Sequence, residues 1–244
     1  MVKYSIVAQD DNPDYEGFWD LVKFSWNRFI QITPVLAKIS DHFNFQIHDD
    51  SIIFNLPAVH GVNTGFQAQI ARMWVTKFFP NEFCTISDID MINLDKNYFN
   101  RSITNPNNLI VYSSDHAGLS RYPMCYIQAT GKTFNQVLDL SCNWEDFVLR
   151  LHNLNAGWST DEIYLTRQIN RFHDQSRIVK LSRGWSDNVA RLRIDRVNIQ
   201  DHSSPSEYQE IAQYIDFHCP RPLSKWKDYI NAIIKYKLMS LDNE

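Results

Sequence analysis

Along the chain, short runs of β-branched and aromatic residues alternate with stretches whose apolar positions recur at helical spacing. Tyr4 to Ala8 reads as a first strand, closed by the polar cluster Gln9-Asp10-Asp11-Asn12-Pro13. Phe18 to Ile30 then places Phe18, Leu21, Val22, Ser25, Trp26 and Phe29 on one helical face. Pro34 to Ile39 and Ser51 to Leu56 are short and partly alternating, which predicts strands. From Asn63 a helix runs towards Phe79, with Gln67, Ile70, Ala71, Trp74 and Phe78 on one side, and Pro80 stops it. The strand Phe83 to Ile86 follows.

The middle, Asn97 to Leu140, is less regular, with a turn at Asn105-Pro106-Asn107-Asn108 and strands over Leu109 to Tyr112 and Pro123 to Ala129. Trp144 to Leu151 reads as a helix. Gly157-Trp158-Ser159-Thr160 supplies an N-cap hydroxyl for a second helix from Asp161 to about Arg171. Ile178 to Leu181 predicts a strand. Pro205-Ser206-Glu207 opens a helix, and Leu223 to Leu238 forms a closing amphipathic one.

This alternation predicts an α/β fold: one Rossmann-like domain over residues 1–244, with a mostly parallel mixed sheet flanked by helices. In such sheets ligands collect beyond the carboxyl ends of the strands. Asp10 and Asp88 both fall at that edge, so a shared site is expected there.

The strand Phe83-Cys84-Thr85-Ile86 delivers Ser87-Asp88-Ile89-Asp90. Two carboxylates on alternate residues can reach one divalent cation, and that cation can hold the diphosphate of a nucleotide-activated substrate. Asp88 and Asp90 are the leading ligands for Mn²⁺ or Mg²⁺, and His218 is the candidate third, an imidazole that Mn²⁺ accepts. Singly, each is as well explained by a solvated turn or a loop histidine; together they favour the metal. Arg221 and Lys225 follow His218 closely, and either can approach a diphosphate, as can Arg72 from the helix before the acidic step; a surface charge is the plain alternative for each. Asp161 and Glu162 are candidates for taking a proton from an acceptor hydroxyl. Carboxylates in a first helical turn are also favoured by the helix dipole alone. Trp158 can stack on a sugar ring or fill a core.

Bulk properties narrow the field. A net charge of −4 argues against a nucleic-acid binder. Arg183, Arg191, Arg193 and Arg196 form a local basic cluster, read as a solvated loop. With only 7 glycines and no Gly-rich phosphate loop, neutralising a diphosphate falls to metal and cationic side chains. The 4 cysteines are scattered, and Cys84 in an apolar strand reads as a reduced, buried thiol, which predicts a cytoplasmic setting. No signal peptide and no apolar run of membrane-spanning length is visible.

In order, these segments resemble the GT-A class of glycosyltransferases. Ile6-Val7-Ala8-Gln9-Asp10-Asp11-Asn12 is similar to the first strand and uridine-contacting loop of the galactosyltransferase/glycogenin-like group. Arg72 with Phe83 to Asp90 resembles that group's helix, strand and metal motif, and His218-Cys219-Pro220-Arg221-Pro222-Leu223-Ser224-Lys225-Trp226 its late histidine segment. The resemblance implies a UDP-sugar donor contacted by Ala8, Asp10 and Asn12, with Mn²⁺ on Asp88, Asp90 and His218. It also implies a diphosphate held by Lys225 or Arg221, and a glycan or glycoprotein acceptor. The nucleotide-binding part is expected over about 1–95 and the acceptor and closing part over about 96–244. Two departures stand out: Asp161-Glu162 replaces the Asp-Gln pair of the retaining members, and Lys225 precedes Trp226 without an intervening proline. The stereochemical outcome stays open. A sugar nucleotidyltransferase and a non-catalytic carbohydrate-binding protein of the same fold are the alternatives.

Overall fold

The structure, a computed structural model, describes residues 2–100, 105–114, 121–182, 192–200, 204–208 and 210–242. The strands are β1 (Tyr4–Gln9), β2 (Thr33–Ser40), β3 (Asn44–Ile47), β4 (Ile52–Pro57), β5 (Phe83–Ile86), β6 (Met91–Asn93), β7 (Leu109–Val111), β8 (Ile127–Thr130), β9 (Ile178–Lys180), β10 (Arg193–Asp195) and β11 (Asp216–His218). The helices are α1 (Phe18–Ser25), α2 (Thr64–Val75), α3 (Lys96–Phe99), α4 (Gly131–Leu138), α5 (Trp144–His152), α6 (Thr160–Arg171), α7 (Arg196–Gln200) and α8 (Leu223–Leu241).

Among the described residues, eight strands form one mixed sheet in the order β3-β4-β2-β1-β5-β8-β7-β9, and three form a small sheet ordered β10-β11-β6. β1 pairs in parallel with β2 and β5, and β2 with β4, whereas β8 runs antiparallel to both β5 and β7. The parallel centre is buried on both faces, and this explains why its strands read as near-continuous apolar runs. Adjacent residues point to opposite layers. Ile6, Val35, Ala37 and Val111 pack with α2, α4, α5 and α6, while Val7, Leu36 and Ile110 pack with α1 and α8. Helix α8 buries Ile230, Ile233, Ile234 and Lys237, one stripe at a spacing of three to four residues.

The expected α/β architecture is present, with local differences that have physical causes. The helix expected over Phe18 to Ile30 keeps its α geometry only to Ser25 and continues as a π-helical turn over Trp26–Ile30, ended by Gln31 in a left-handed conformation (φ 63°). The strand expected from Pro123 begins at Ile127. The expected hydroxyl cap before Asp161 is not made: the N-cap Ser159 has no side-chain cap bond, and Thr160 Oγ1 donates back to Gly157 O (2.7 Å). Strands β3, β6, β10 and β11 and helices α3, α4 and α7 were not anticipated as elements; most are short, and short pieces carry too few residues to show a period.

Helix α4 depends on one glycine. A Cβ on Gly131 would lie 2.2 Å from Thr76 O and 2.5 Å from Phe79 O, both backbone atoms that cannot retreat. The close approach lets Gly131 N–H donate to Phe79 O (3.2 Å), while the Thr130 hydroxyl caps Thr133 N–H (3.2 Å). Gly131→Ala is expected to lower stability by about 1–3 kcal/mol, read as a lower urea midpoint at unchanged slope.

Candidate functional site

The site is assembled by strand register. Because β1 and β5 are parallel, Ile6 opposite Ile86, both chains leave the sheet at the same edge, and Ser87 N–H extends the pairing to Ile6 O (2.9 Å). Asp10 and Asp88 therefore open onto one cleft, of about 1030 Å³. The small sheet supplies the rest. His218 stands opposite Met91 on one side and Asp195 on the other, and Cys219 N–H donates to Asp90 O (2.8 Å). A segment more than a hundred residues further along the chain is thereby fixed beside the acidic step.

Asp90, buried, is the focus of this side. Its Oδ2 accepts from Arg196 Nη1 (2.9 Å) and lies 3.6 Å from His218 Nε2 and 3.5 Å from Arg221 Nε. His218 Nδ1 faces Asp195 Oδ2 at 3.5 Å. Burial disfavours the charged imidazole, but the facing carboxylates of Asp195 and Asp90 outweigh it and raise His218 to about 9. Asp195 is held at about 2: partial burial works against its charge, and His218 with the Val197 N–H overcomes it. Arg221 also donates to the Tyr15 hydroxyl and lies over that ring at 4.6 Å.

On the other side Arg72 forms a bridge. From within α2 its Nη1 donates to Asp88 Oδ1 and to Ser87 O (3.1 Å), and its Nη2 to Asp161 Oδ2 (2.9 Å). Arg72 and Asp161 are both buried. Burial raises the carboxyl of Asp161 against the pull of Arg72, whereas at Asp88 the guanidinium overcomes burial and the pKa falls. Asp161 Oδ1 accepts the Glu162 N–H (2.8 Å), and the Glu162 side chain accepts from Arg121 Nε (2.5 Å). At the far end Asp10 Oδ2 accepts from Thr64 Oγ1 (2.9 Å) and its Oδ1 from Asn12 N–H (3.3 Å).

Of the residues singled out from sequence, Ala8, Asp10, Asn12, Arg72, Asp88, Asp90, Asp161, Glu162, His218 and Arg221 all line this cleft, as does Trp158. Lys225 is not part of the lining; its Nζ lies 5.2 Å over the Trp226 ring. The basic cluster read as a solvated loop is different in the structure. Arg193 is bound through two nitrogens to the fully buried Asp216 (2.9 Å each), and Arg196 reaches Asp90; Arg183 and Arg191 lie outside the described residues. Arg121, Arg193 and Arg196 are charged groups lining the cleft to which sequence reading gave no role there, and Asp195 stands behind His218. Their only sequence signal is charge beside an apolar residue, which most surface loops share.

The donor types suit a divalent cation, two carboxylates and an imidazole on one cleft. In the structure both ring nitrogens of His218 face carboxylates, so it would have to release its proton before it could ligate one. Among the described residues no three His, Cys, Asp or Glu side chains converge on a single point, and Asp88 Oδ1 is engaged by Arg72. No helix of the described residues is long and apolar enough to cross a membrane.

No protein-family model and no curated protein sequence matches the chain. Solved structures do. The chain is similar to the glycosyltransferase GlyE of Streptococcus pneumoniae TIGR4, at 12% identity and a TM-score of 0.53, covering 98% of this chain and 64% of that one. It thus spans less than two thirds of GlyE. It is also similar to an active-site mutant of LgtC, at 11% identity and a TM-score of 0.50, covering 90% of this chain and 88% of that one. At such identities the likeness is one of fold, and the fold is the GT-A-like fold of these glycosyltransferases.

Removing the bridge tests its weight. Arg72→Leu leaves buried Asp161 without its cation and is expected to cost about 3–5 kcal/mol in urea unfolding. Arg72→Leu combined with Asp161→Leu is expected to recover a large part of that loss; a double variant as unstable as the sum of the two singles would show that the pair is not coupled.

Proposed function

We propose that this protein is a glycosyltransferase that moves a sugar from a UDP-sugar to a hydroxyl group of a glycan or glycoprotein acceptor, with Mn²⁺ or Mg²⁺ as cofactor. The observation that carries the reading is the gathering of Asp88, Asp90, His218, Arg196, Arg221, Asp161 and Glu162 around one cleft at the carboxyl edge of a GT-A-like sheet. Residues of about 1–95 are assigned to the nucleotide and those of about 96–244 to acceptor binding and closure. The UDP assignment rests on the resemblance of the Ala8 to Asn12 segment to a uridine-contacting loop.

In this reading Ala8, Asp10 and Asn12 bind the nucleoside. The Asp10 carboxylate is already oriented by Thr64 and the Asn12 N–H, so little freedom is lost when it accepts from a ribose hydroxyl. Asp88, Asp90 and His218 would hold the metal, whose chemistry when bound is Lewis-acid stabilisation of the charge developing on the departing diphosphate. Arg196 and Arg221, both directed at Asp90, add positive charge on the same side, the place where a leaving diphosphate needs it. Of the two residues expected to hold the diphosphate, Arg221 keeps that role in this reading, and Arg196 stands in place of Lys225. Arg72 is a positioning residue: it fixes Asp88 relative to Asp161.

On the acceptor side the two carboxylates are not equivalent. Asp161 is engaged at both oxygens, by Arg72 and by the Glu162 N–H. Glu162 is more open, with its side chain held by Arg121 at the cleft wall, so it is the better placed to accept the proton of an attacking hydroxyl if the anomeric centre inverts. Trp158, 69% exposed at the rim on a single helical turn, offers an aromatic face to an acceptor ring.

Binding is read by thermal shift. UDP at ~100 times its dissociation constant should stabilise the fold by about 2.7 kcal/mol in the presence of Mn²⁺, and the shift should vanish in Asp88→Asn. No shift with any nucleoside diphosphate would overturn the donor assignment, and pyrophosphate release from a nucleoside triphosphate would point to a nucleotidyltransferase. With a working UDP-sugar, Arg196→Gln should lower kcat by ~100-fold. Trp158→Ala should raise the acceptor KM by ~10-fold at unchanged stability; a fall in kcat alone would remove Trp158 from acceptor binding.

A further inference from the structure

Strand β3 ends the eight-stranded sheet, and among the described residues only β4 pairs with it, along one of its edges. His48 N–H donates to Ser51 O (2.8 Å) at the hairpin end, which sets the phase of the antiparallel ladder. Backbone groups of Asn44, Gln46 and His48 turn towards β4, and those of Phe43, Phe45 and Ile47 turn outward. The same three residues expose apolar side chains: Phe43 is 51% exposed, Phe45 57% and Ile47 72%. The strip continues into Phe78, 40% exposed, through ring contacts of Phe43 with Phe78 (6.4 Å) and of Phe45 and Phe78 with Phe54 (5.9 and 5.2 Å). Sheet edges are ordinarily blunted by lysine, proline or a bulge. Phe43 to Ile47 contains no lysine or proline.

The segment also has a two-fold sequence pattern. Asp41-His42-Phe43-Asn44-Phe45-Gln46-Ile47-His48-Asp49 reads the same in character from either end, centred on Phe45. Laid antiparallel on itself, it matches apolar with apolar and amide with amide from Phe43 to Ile47, histidine with histidine at His42 and His48, and brings Asp41 against Asp49 only at the ends. We infer that β3 is the interface of a two-fold homodimer, in which the sheets of two copies of this chain join edge to edge. Phe45 meets Phe45 of the second copy on the axis, Phe43 meets Ile47, and Asn44 meets Gln46. Of these, Phe45–Phe45 and Phe43–Ile47 are the pairs whose backbone groups point outward, as the hydrogen-bonded pairs of an antiparallel ladder require, and Asn44–Gln46 falls at the intervening non-hydrogen-bonded position. Such a contact uses the same surface on both copies, so it closes at two and leaves no β3 edge free.

Size sets the class of contact. Half-exposed aromatic side chains still present ~100 Å² each. With Ile47, Phe78 and the strand backbone, two copies bury on the order of 1,000 Å², near the lower bound for a specific contact. A contact this small is expected to be weak, with a dissociation constant on the order of 1–100 μM. Asp41 and Asp49 face each other only at the ends of the paired strands, so added salt should strengthen the dimer rather than weaken it.

Sedimentation velocity of the whole chain from about 1 to about 200 μM tests this, with a reversible shift from monomer to dimer expected. Phe45→Lys and Phe45→Glu should each be monomeric across that range, and their equimolar mixture should dimerise again, because only a self-contact at position 45 brings the two charges together. Phe45→Thr, which keeps a strand-forming residue, should weaken the dimer by ~10-fold or more with its circular dichroism unchanged, and so separates loss of contact from loss of fold. Phe24→Lys, on α1, should leave the dimer intact. A chain that stays monomeric throughout, charge variants that still dimerise, a mixture that stays monomeric, or open-ended oligomers would each overturn the assignment.

Discussion

One buried guanidinium connects the parts of the site that the chain itself keeps far apart. Arg72 comes from α2, Asp88 from the end of β5 and Asp161 from the first turn of α6, and a hydrogen-bonded bridge joins all three. A buried carboxylate such as Asp161 is tolerated in the ionised state only beside a cation, and a buried cation only beside carboxylates. Each member therefore fixes the others. The α6 entry segment, with Glu162 and Trp158, is tied to the acidic step through this bridge.

A second constraint acts on the opposite wall. β10, β11 and β6 are three-residue strands, too short to be stable as a separate sheet. They are held by the apolar cluster that includes Met91, Ile92, Ile194 and Phe217 beneath them, and by the buried pair of Arg193 and Asp216. Their register places Asp195, His218 and the residue after Asp90 in one row. That row sets which charges face one another, and it gives His218 a carboxylate at each ring nitrogen. The proposed chemistry uses both walls: Asp90, His218 and the cationic groups on the second, Asp88 and the acceptor carboxylates on the first, with the metal held between Asp88 and the second wall.

Much of the central architecture was legible in the sequence. β5 carries the bounds that its apolar run indicated, and β1, β2, β4, α2, α5 and α8 lie within a few residues of expectation, because the parallel strands are buried on both faces and the helices show a full apolar stripe. The edge strand β3 was missed for the opposite reason: its aromatic residues face outward among polar neighbours, and nothing local distinguishes that from a loop. Helix α4 was missed because it opens on a glycine chosen for a close backbone approach, which only the packed neighbours Thr76 and Phe79 make necessary.

The candidate site divides in the same way. Asp88 and Asp90 are marked by the sequence, since a short buried strand must carry its succeeding residues to the sheet edge, and Asp10 is placed by the same rule applied to β1. Whether His218 reaches that edge, whether Arg196 or Lys225 faces it, and whether Asp161 or Glu162 is the open carboxylate are matters of contacts between segments far apart in the chain. Those contacts are fixed by strand register and buried charge pairing. Local pattern determined the elements and the edge on which they open; only tertiary structure decided which charged side chains share it, because that depends on partners no neighbouring residue specifies.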